Sequence, residues 1–139
     1  MRTQSKIDAL LAEYDLMCRQ DWDELFSHAD PDFEFIPPDR GLGASVTRGR
    51  EKARDDIRTF FSPYEEVIIE PNEFHERGDR IAVFFELRCR PHGSTAMVEI
   101  RAGHVWTVRD GRLTSLQIFA ERDKALEAAE AAHAADLDV

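Results

Sequence analysis

The chain has 139 residues, a length that fits one domain. Hydrophobic residues make up 42% and charged residues 33%, as in a folded globular domain and unlike a disordered chain. Acidic residues outnumber basic ones 28 to 18, and the net charge of −10 would repel the phosphates of a nucleic acid. We therefore expect one domain over residues 1–139 and no nucleic-acid partner.

The apolar runs and the cysteines indicate where the protein works. The longest apolar run, Ile81 to Phe85, is far shorter than the ~20 residues that cross a bilayer, so we expect no membrane partner. Asp8 and Glu13 interrupt the apolar positions near the N-terminus, which argues against a secretory signal. Cys18 and Cys89 show no pairing motif and are expected to be reduced thiols. We predict a cytoplasmic protein, and the excess of arginine over lysine suggests a bacterial one.

Three helices are predicted in the first half of the chain. The first follows a capping-box pattern at residues 5–8, and its apolar residues recur at intervals of three and four. The second begins at Asp21 and ends before Pro31, and the third begins at Gly49. The residues expected to face the interior are Ile7, Leu10, Leu11, Tyr14, Met17 and Cys18 in the first helix, Trp22, Leu25 and Phe26 in the second, and Ala53, Ile57, Phe60 and Phe61 in the third.

Strands dominate the second half. A short strand at residues 33–35 precedes a loop predicted over residues 39–47, and from Glu65 onward the apolar period changes to two. The predicted strands cover residues 66–76, 79–90, 95–109 and 112–121, with hairpin turns at Gly78-Asp79 and Asp110-Gly111, and a helix over 123–135 follows. Helices followed by an antiparallel meander predict an α+β fold with helices on one face of a curved sheet.

The strand over residues 97–109 carries the most informative pattern. One of its faces is apolar except for His104, so that face should turn toward the helices. Tyr14 lies on the apolar stripe of the first helix, and we expect the two side chains to face one another across the interior. An imidazole can transfer protons near neutral pH, and a buried phenol can donate a hydrogen bond to a developing oxyanion.

Two other interpretations of these residues stay open. Both His104 and Tyr14 are also compatible with core residues whose polar atoms bond to other protein groups, and a shared polar pocket can bind a ligand without reacting. The apolar lining expected for a pocket is Met17, Trp22, Phe35, Phe60, Ala102, Trp106 and Leu116. No metal-ligand spacing and no nucleotide-binding glycine motif is present, so we predict neither a metal nor a cofactor.

Three stretches together resemble a known family. They are Gln20 to Leu25, Gly49 to Glu51 and the hairpin His104 to Leu113. In order and spacing they are similar to the SnoaL-like branch of the nuclear transport factor 2 and ketosteroid isomerase superfamily, over about residues 5–130. The resemblance implies a cone-shaped α+β fold. Three N-terminal helices and a bent antiparallel sheet would enclose one pocket, a short helix would follow the sheet, and two copies would form a homodimer.

The resemblance also implies roles for single residues. Tyr14 falls where ketosteroid isomerases have their oxyanion-hole tyrosine, and His104 falls where they have the protonated aspartic acid of the same hole. The position of their general-base carboxylate is Phe35, which cannot accept a proton, so steroid isomerisation is not expected. Polyketide cyclases of this branch, which work by acid/base chemistry without a cofactor, resemble the chain more in overall pattern.

Three functions follow as alternatives. The first is a cofactor-independent cyclase or isomerase that acts on a small hydrophobic molecule, with His104 as general acid/base and Tyr14 polarising a carbonyl oxygen. The second is a protein that binds such a molecule without reacting. The third is a dimeric interaction module with a filled core. The homodimer is expected through the outer sheet face, where Val105 lies among charged residues.

Overall fold

The structure, a computed structural model, describes residues 2–38 and 46–137. It confirms the predicted α+β class. The elements in chain order are α1 (Arg2–Cys18), α2 (Trp22–Ser27), β1 (Ala29–Ile36), β2 (Thr47–Arg48), α3 (Arg50–Phe61), β3 (Tyr64–Arg77), β4 (Arg80–Pro91), β5 (Val98–Arg109), β6 (Arg112–Phe119) and α4 (Arg122–Leu137).

The strands of the described chain form one sheet of six in the order β2-β1-β6-β5-β4-β3. Every neighbouring pair is antiparallel except β1 and β6, which run parallel. Both predicted hairpin turns are confirmed, because Gly78, Asp110 and Gly111 all adopt the positive φ that such turns require. A loop was predicted over residues 39–47, and its residues 39–45 lie outside the described residues. Its last residue, Thr47, belongs to β2, a strand of two residues that is too short to show a periodic pattern.

The three N-terminal helices lie where the sequence predicts them, with three corrections. Leu11, predicted to face the interior, is 44% exposed. Helix α1 begins at Arg2, earlier than the capping-box pattern indicates. Phe60 is 60% exposed and does not join the interior face of α3, because Phe61 takes that place and stacks on Trp22 with 5.2 Å between the ring centroids. In the described part of the chain no helix is long and apolar enough to cross a membrane.

The main core lies between these helices and the inner face of the sheet. Helix α1 contacts β3 at one end of the sheet and α3 contacts β1 near the other end, so the sheet bends around the helices. The largest fully buried side chains are Trp106, Tyr14, Phe33, Leu10, Leu25, Ile81, Leu116 and Val83. Burial of this apolar surface contributes about 25 cal/mol of free energy per Å² and is the main force that holds the helices against the sheet.

Helix α4 packs on the opposite, outer face of the sheet, a position that the sequence analysis did not assign. Ala125 and Ala129 form a separate cluster with Ala82 and Val105 there. Close approach depends on Gly103, since a Cβ at that position would lie 2.6 Å from the Cβ of Ala125. Val105 is therefore buried within its own chain, and its predicted place in a dimer interface is wrong.

Candidate functional site

Tyr14 and His104 meet in the interior, as the sequence predicts. Helix α1 presents Tyr14 to the inner face of β5, where His104 and Trp106 point inward as alternate residues of the strand. The Tyr14 hydroxyl lies 2.7 Å from Nδ1 of His104, and the Trp106 indole Nε1–H donates to the same hydroxyl at 2.9 Å. All three side chains are buried, so they form a polar relay inside an apolar core.

The relay determines which nitrogen of the His104 ring carries the proton. The Tyr14 oxygen accepts from Trp106, and its own proton needs an acceptor because a buried hydroxyl without one is costly. Nδ1 of His104 is the acceptor within reach, so the hydroxyl donates to Nδ1 and the ring carries its proton on Nε2. The direction is therefore Trp106 to Tyr14 to His104, with the Nε2–H of His104 as the final donor.

That final donor has no hydrogen-bond partner among the residues the structure describes. The side-chain nitrogen and oxygen atoms that are sealed from solvent without a partner are Glu13 Oε2, Glu76 Oε1 and Arg122 Nε. His104 as a whole is 3% exposed. On one side the ring is covered by Phe85, whose centroid lies 4.0 Å from that of the imidazole.

Burial controls the protonation of the relay. It lowers the pKa of His104 to about 3 and raises the pKa of Tyr14 above its ordinary value. Both groups are neutral at pH 7. A base or acid catalyst works best when its pKa lies near the operating pH, so this imidazole is suited to donate a hydrogen bond rather than to exchange a proton.

The structure brings most of the predicted lining residues into one cluster. Met17, Trp22, Ala102, Trp106 and Leu116 are buried in the main core, and Phe35 packs against it half-buried. Trp106 is more than an apolar wall, since its indole is part of the relay. Phe60 lies outside the cluster, on the exposed side of α3.

The inner face of β5 is open at its first residues, a feature that the sequence analysis missed. Val98 and Ile100 lie on the same face as His104, yet they are 44% and 45% exposed. The apolar alternation of the strand places both residues on this face, but it carries no information on which part of a strand the helices cover. The exposed apolar part of this face therefore ends at Ile100, and Ala102 and His104 beyond it are buried.

A second buried polar pair was also missed. Glu13, on α1, is buried, and its Oε1 lies 2.6 Å from Nδ1 of His28, whose side chain is 48% exposed. Burial raises the pKa of Glu13 while the hydrogen bond with His28 opposes that shift. The available signal was the spacing, because Glu13 lies three residues after Leu10 and four before Met17 on the apolar stripe.

Two surface depressions lie elsewhere, and Tyr14 and His104 line neither of them. One of about 620 Å³ is lined by Val46, Thr47, Arg48, Lys52, Asp55 and Asp56, and one of about 290 Å³ by Asp23, Phe26, Ser27, Arg50, Glu51 and Arg54. Charged side chains of both signs line each. Over residues 2–38 and 46–137 no group of three or more histidine, cysteine or acidic side chains is arranged to hold a metal ion.

Comparison with solved structures supports the fold. The crystal structure of TerC co-crystallized with polyporic acid is 26% identical, covers 89% of this chain and 97% of its own, and has a TM-score of 0.69. A protein of unknown function from Burkholderia pseudomallei K96243, described as NTF2-like, is 22% identical over 87% of this chain and 94% of its own, with a TM-score of 0.70. A putative SnoaL-like polyketide cyclase from Jannaschia sp. CCS1 is 18% identical over 90% of this chain and 91% of its own, with a TM-score of 0.70.

The family is defined by sequence. The profile of the SnoaL-like domain matches residues 10–116, which include Tyr14 in the second half of α1 and the relay residues of β5. The chain belongs to the SnoaL-like domain family, as its resemblance indicated, and its fold is the nuclear transport factor 2-like cone. No curated protein sequence matches the chain significantly.

Proposed function

We propose that this SnoaL-like protein binds a small, largely apolar molecule on the inner face of its sheet. The observation that carries the proposal is the relay from Trp106 through Tyr14 to His104. It ends in a neutral N–H donor within an apolar interior. Such a donor suits a carbonyl or other uncharged acceptor on the ligand, and a few placed polar groups in an apolar lining are typical of small-molecule sites.

The lining and one neighbour support the same class of ligand. Val98 and Ile100 are exposed on the face of β5 that also carries the buried Ala102 and His104, so we propose that a ligand approaches the relay from this end of the strand. TerC, the neighbour at 26% identity, was crystallised with polyporic acid, a small organic molecule. We take polyporic acid as the first probe for this chain.

Titration with polyporic acid, followed by the combined fluorescence of Trp22 and Trp106, tests the binding. The wild type should show saturable quenching. His104→Ala should weaken binding about tenfold or more, because the ligand acceptor would be buried without a donor. His92→Ala is the matched control, since its side chain is 61% exposed on a distant turn. Equal affinity of all three proteins would remove His104 from the site.

Catalysis is a second candidate. A neutral imidazole can polarise a carbonyl oxygen by donating a hydrogen bond to it. The neighbour from Jannaschia is described as a putative SnoaL-like polyketide cyclase. Tyr14 and His104 contact each other directly at 2.7 Å, which leaves His104 as the one of the two that would touch a substrate. The test is to incubate polyporic acid with the protein, recover it, and compare it with the starting compound by chromatography and NMR. An altered compound indicates an enzyme and an unchanged one a binding protein.

From the sequence we also propose that the protein is bacterial and cytoplasmic and that it needs neither a metal nor a cofactor. A homodimer belongs to the same proposal. The outer sheet face near Val105 cannot carry it, because α4 covers that part of the sheet. We propose that the contact lies on the rest of the outer sheet face or on another surface of the chain.

A further inference from the structure

Arg122, the first residue of α4, lies half-buried on the outer face of the sheet and makes no ion pair with any described residue. Its Nη2 donates to Asn72 Oδ1 at 3.1 Å and to the backbone carbonyl of Phe85 at 3.3 Å. Its guanidinium carbon lies 5.9 Å from the ring centroid of Phe84, and its Nε is sealed from solvent without a described partner. A half-buried cation without a counter-ion costs stability, and polar groups left in this way often serve a function.

The guanidinium reaches the sheet where the ladder between β3 and β4 is interrupted. Pro71 lies opposite Phe85 and has no N–H to donate across the ladder. The register then shifts between Pro71 and Glu73, so Asn72 has no partner on β4. Arg122 bonds to both strands at this bulge, through the Asn72 side chain and the Phe85 carbonyl. It therefore joins β3 to β4 at the point where the ladder is broken.

On the inner face of the sheet, Phe85 covers the relay. Its side chain is buried, and its ring centroid lies 4.0 Å from that of His104 with 27° between the planes. The rings of Tyr14 and Trp106 lie farther from the imidazole, at 5.7 and 5.9 Å. Since one backbone carries both the carbonyl and the ring of Phe85, a bond that fixes the carbonyl also limits the movement of the ring.

The backbone of Arg122 contacts the strand that carries His104. A Cβ at Gly103 would lie 3.4 Å from the Arg122 Cα and 3.6 Å from the Arg122 carbonyl oxygen. Gly103 directly precedes His104 in β5 and pairs with Phe84 of β4. Arg122 thus packs on β5 through its backbone and holds β4 through its guanidinium.

We propose that Arg122 is a positioning residue for the site on the inner face and that it acts through Phe85. By holding the Phe85 ring against the imidazole, it keeps the Nε2–H of His104 directed toward the ligand. Arginine suits this place, because its planar group can donate to two acceptors while it lies against an aromatic ring. The inference rests on the proposed function, since a directed donor matters only where a ligand accepts from it.

The chemical shifts of the His104 ring protons test the positioning in the free protein. The ring current of Phe85 displaces these resonances, and Phe85→Leu gives their values without that ring. Arg122→Met removes the donors and keeps the length of the side chain, so it should move the resonances toward the Phe85→Leu values. Arg77→Met is the matched control, because Arg77 also links β3 to α4, through Glu130 at 3.3 Å, and it should leave the His104 resonances in place.

The affinity for polyporic acid tests whether the positioning matters for binding. Arg122→Met should weaken binding about fivefold, because a donor that points away from its acceptor makes a weaker hydrogen bond. Arg122→Lys keeps a charged donor and should recover part of the loss, while Arg77→Met should bind like the wild type. If Arg122→Met does not fold, Asn72→Ala removes one acceptor of the guanidinium at an exposed position and should shift the His104 resonances in the same direction.

Two results would overturn the proposal. One is a folded Arg122→Met protein, or Asn72→Ala in its place, whose His104 resonances match the wild type. The other is an Arg77→Met protein whose His104 resonances move as far as those of Arg122→Met. A wild type that does not bind polyporic acid would instead refute the proposed ligand, and the resonances of the free protein would still decide the role of Arg122.

Discussion

At the scale of single residues, the Tyr14 hydroxyl is the centre of the relay. It accepts from Trp106 and donates to His104, and no other described group replaces it. Tyr14→Phe leaves two buried polar groups without a partner, so the free energy of unfolding should fall by about 3 kcal/mol. Urea denaturation measures this loss. Tyr64→Phe is the control, since that half-buried hydroxyl bonds to no described residue, and a loss as large there would contradict the account.

His104 should make stability depend on pH. Its folded pKa of about 3 lies below the ~6.5 of an unfolded histidine, so the unfolded chain binds the proton first. This contribution to stability is complete above pH ~6.5 and is lost as the pH falls toward the folded pKa, with a slope of about 1.4 kcal/mol per pH unit. Denaturation curves between pH 7 and 4 should show that slope in the wild type and lack it in His104→Gln. Parallel curves for the two proteins would show that His104 is protonated in the folded state.

Glu13 should make stability depend on pH in the direction opposite to that of His104. Burial raises its folded pKa, so the unfolded chain releases the proton at lower pH than the folded chain does. The stability contributed by Glu13 is full below its ordinary pKa and is lost as the pH rises through the folded pKa. Compared with Glu13→Gln, the wild type should lose stability as the pH rises from 4 toward neutrality. Glu127→Gln, a change at an exposed residue of α4 on the other face of the sheet, should keep the wild-type slope.

At the scale of elements, the contact of α4 with the sheet depends on a missing side chain. Gly103→Ala would place a Cβ 2.6 Å from the Cβ of Ala125 and should lower the free energy of unfolding by about 1–3 kcal/mol. Ala125→Gly removes the obstructing atom, so adding it to Gly103→Ala should recover part of the loss. A double-mutant cycle with no coupling between the two sites would show that α4 packs elsewhere.

Periodicity located the elements well, but it did not give the burial of every residue on an apolar face. The alternation in β3 to β6 and the stripe of α1 located those elements within a few residues of their observed bounds. It failed where burial changes along an element. Phe60 shares the stripe of α3 but lies at its margin, where Phe61 excludes it from the interior, and the exposed residues at the start of β5 keep the same alternation as the buried ones.

At the scale of the whole molecule, the sequence supported the fold class and the meeting of Tyr14 with His104. Both depend on which faces are apolar, and a sequence shows that directly. The parallel pairing of β1 with β6 and the position of α4 depend on how the chain crosses the sheet, and no local pattern records it. The hydrogen bonds of the relay could not be predicted either, because they depend on distances between elements that are far apart in the sequence.

Nitrogen-15 NMR of the histidine rings during titration with polyporic acid tests the proposed site most directly. The free protein should show His104 as the neutral tautomer with its proton on Nε2 at pH 7. On binding, the Nε2–H resonance of His104 should shift while the resonances of the exposed His92 stay in place. A protonated ring, a proton on Nδ1, or saturable binding that leaves His104 unchanged would contradict the account.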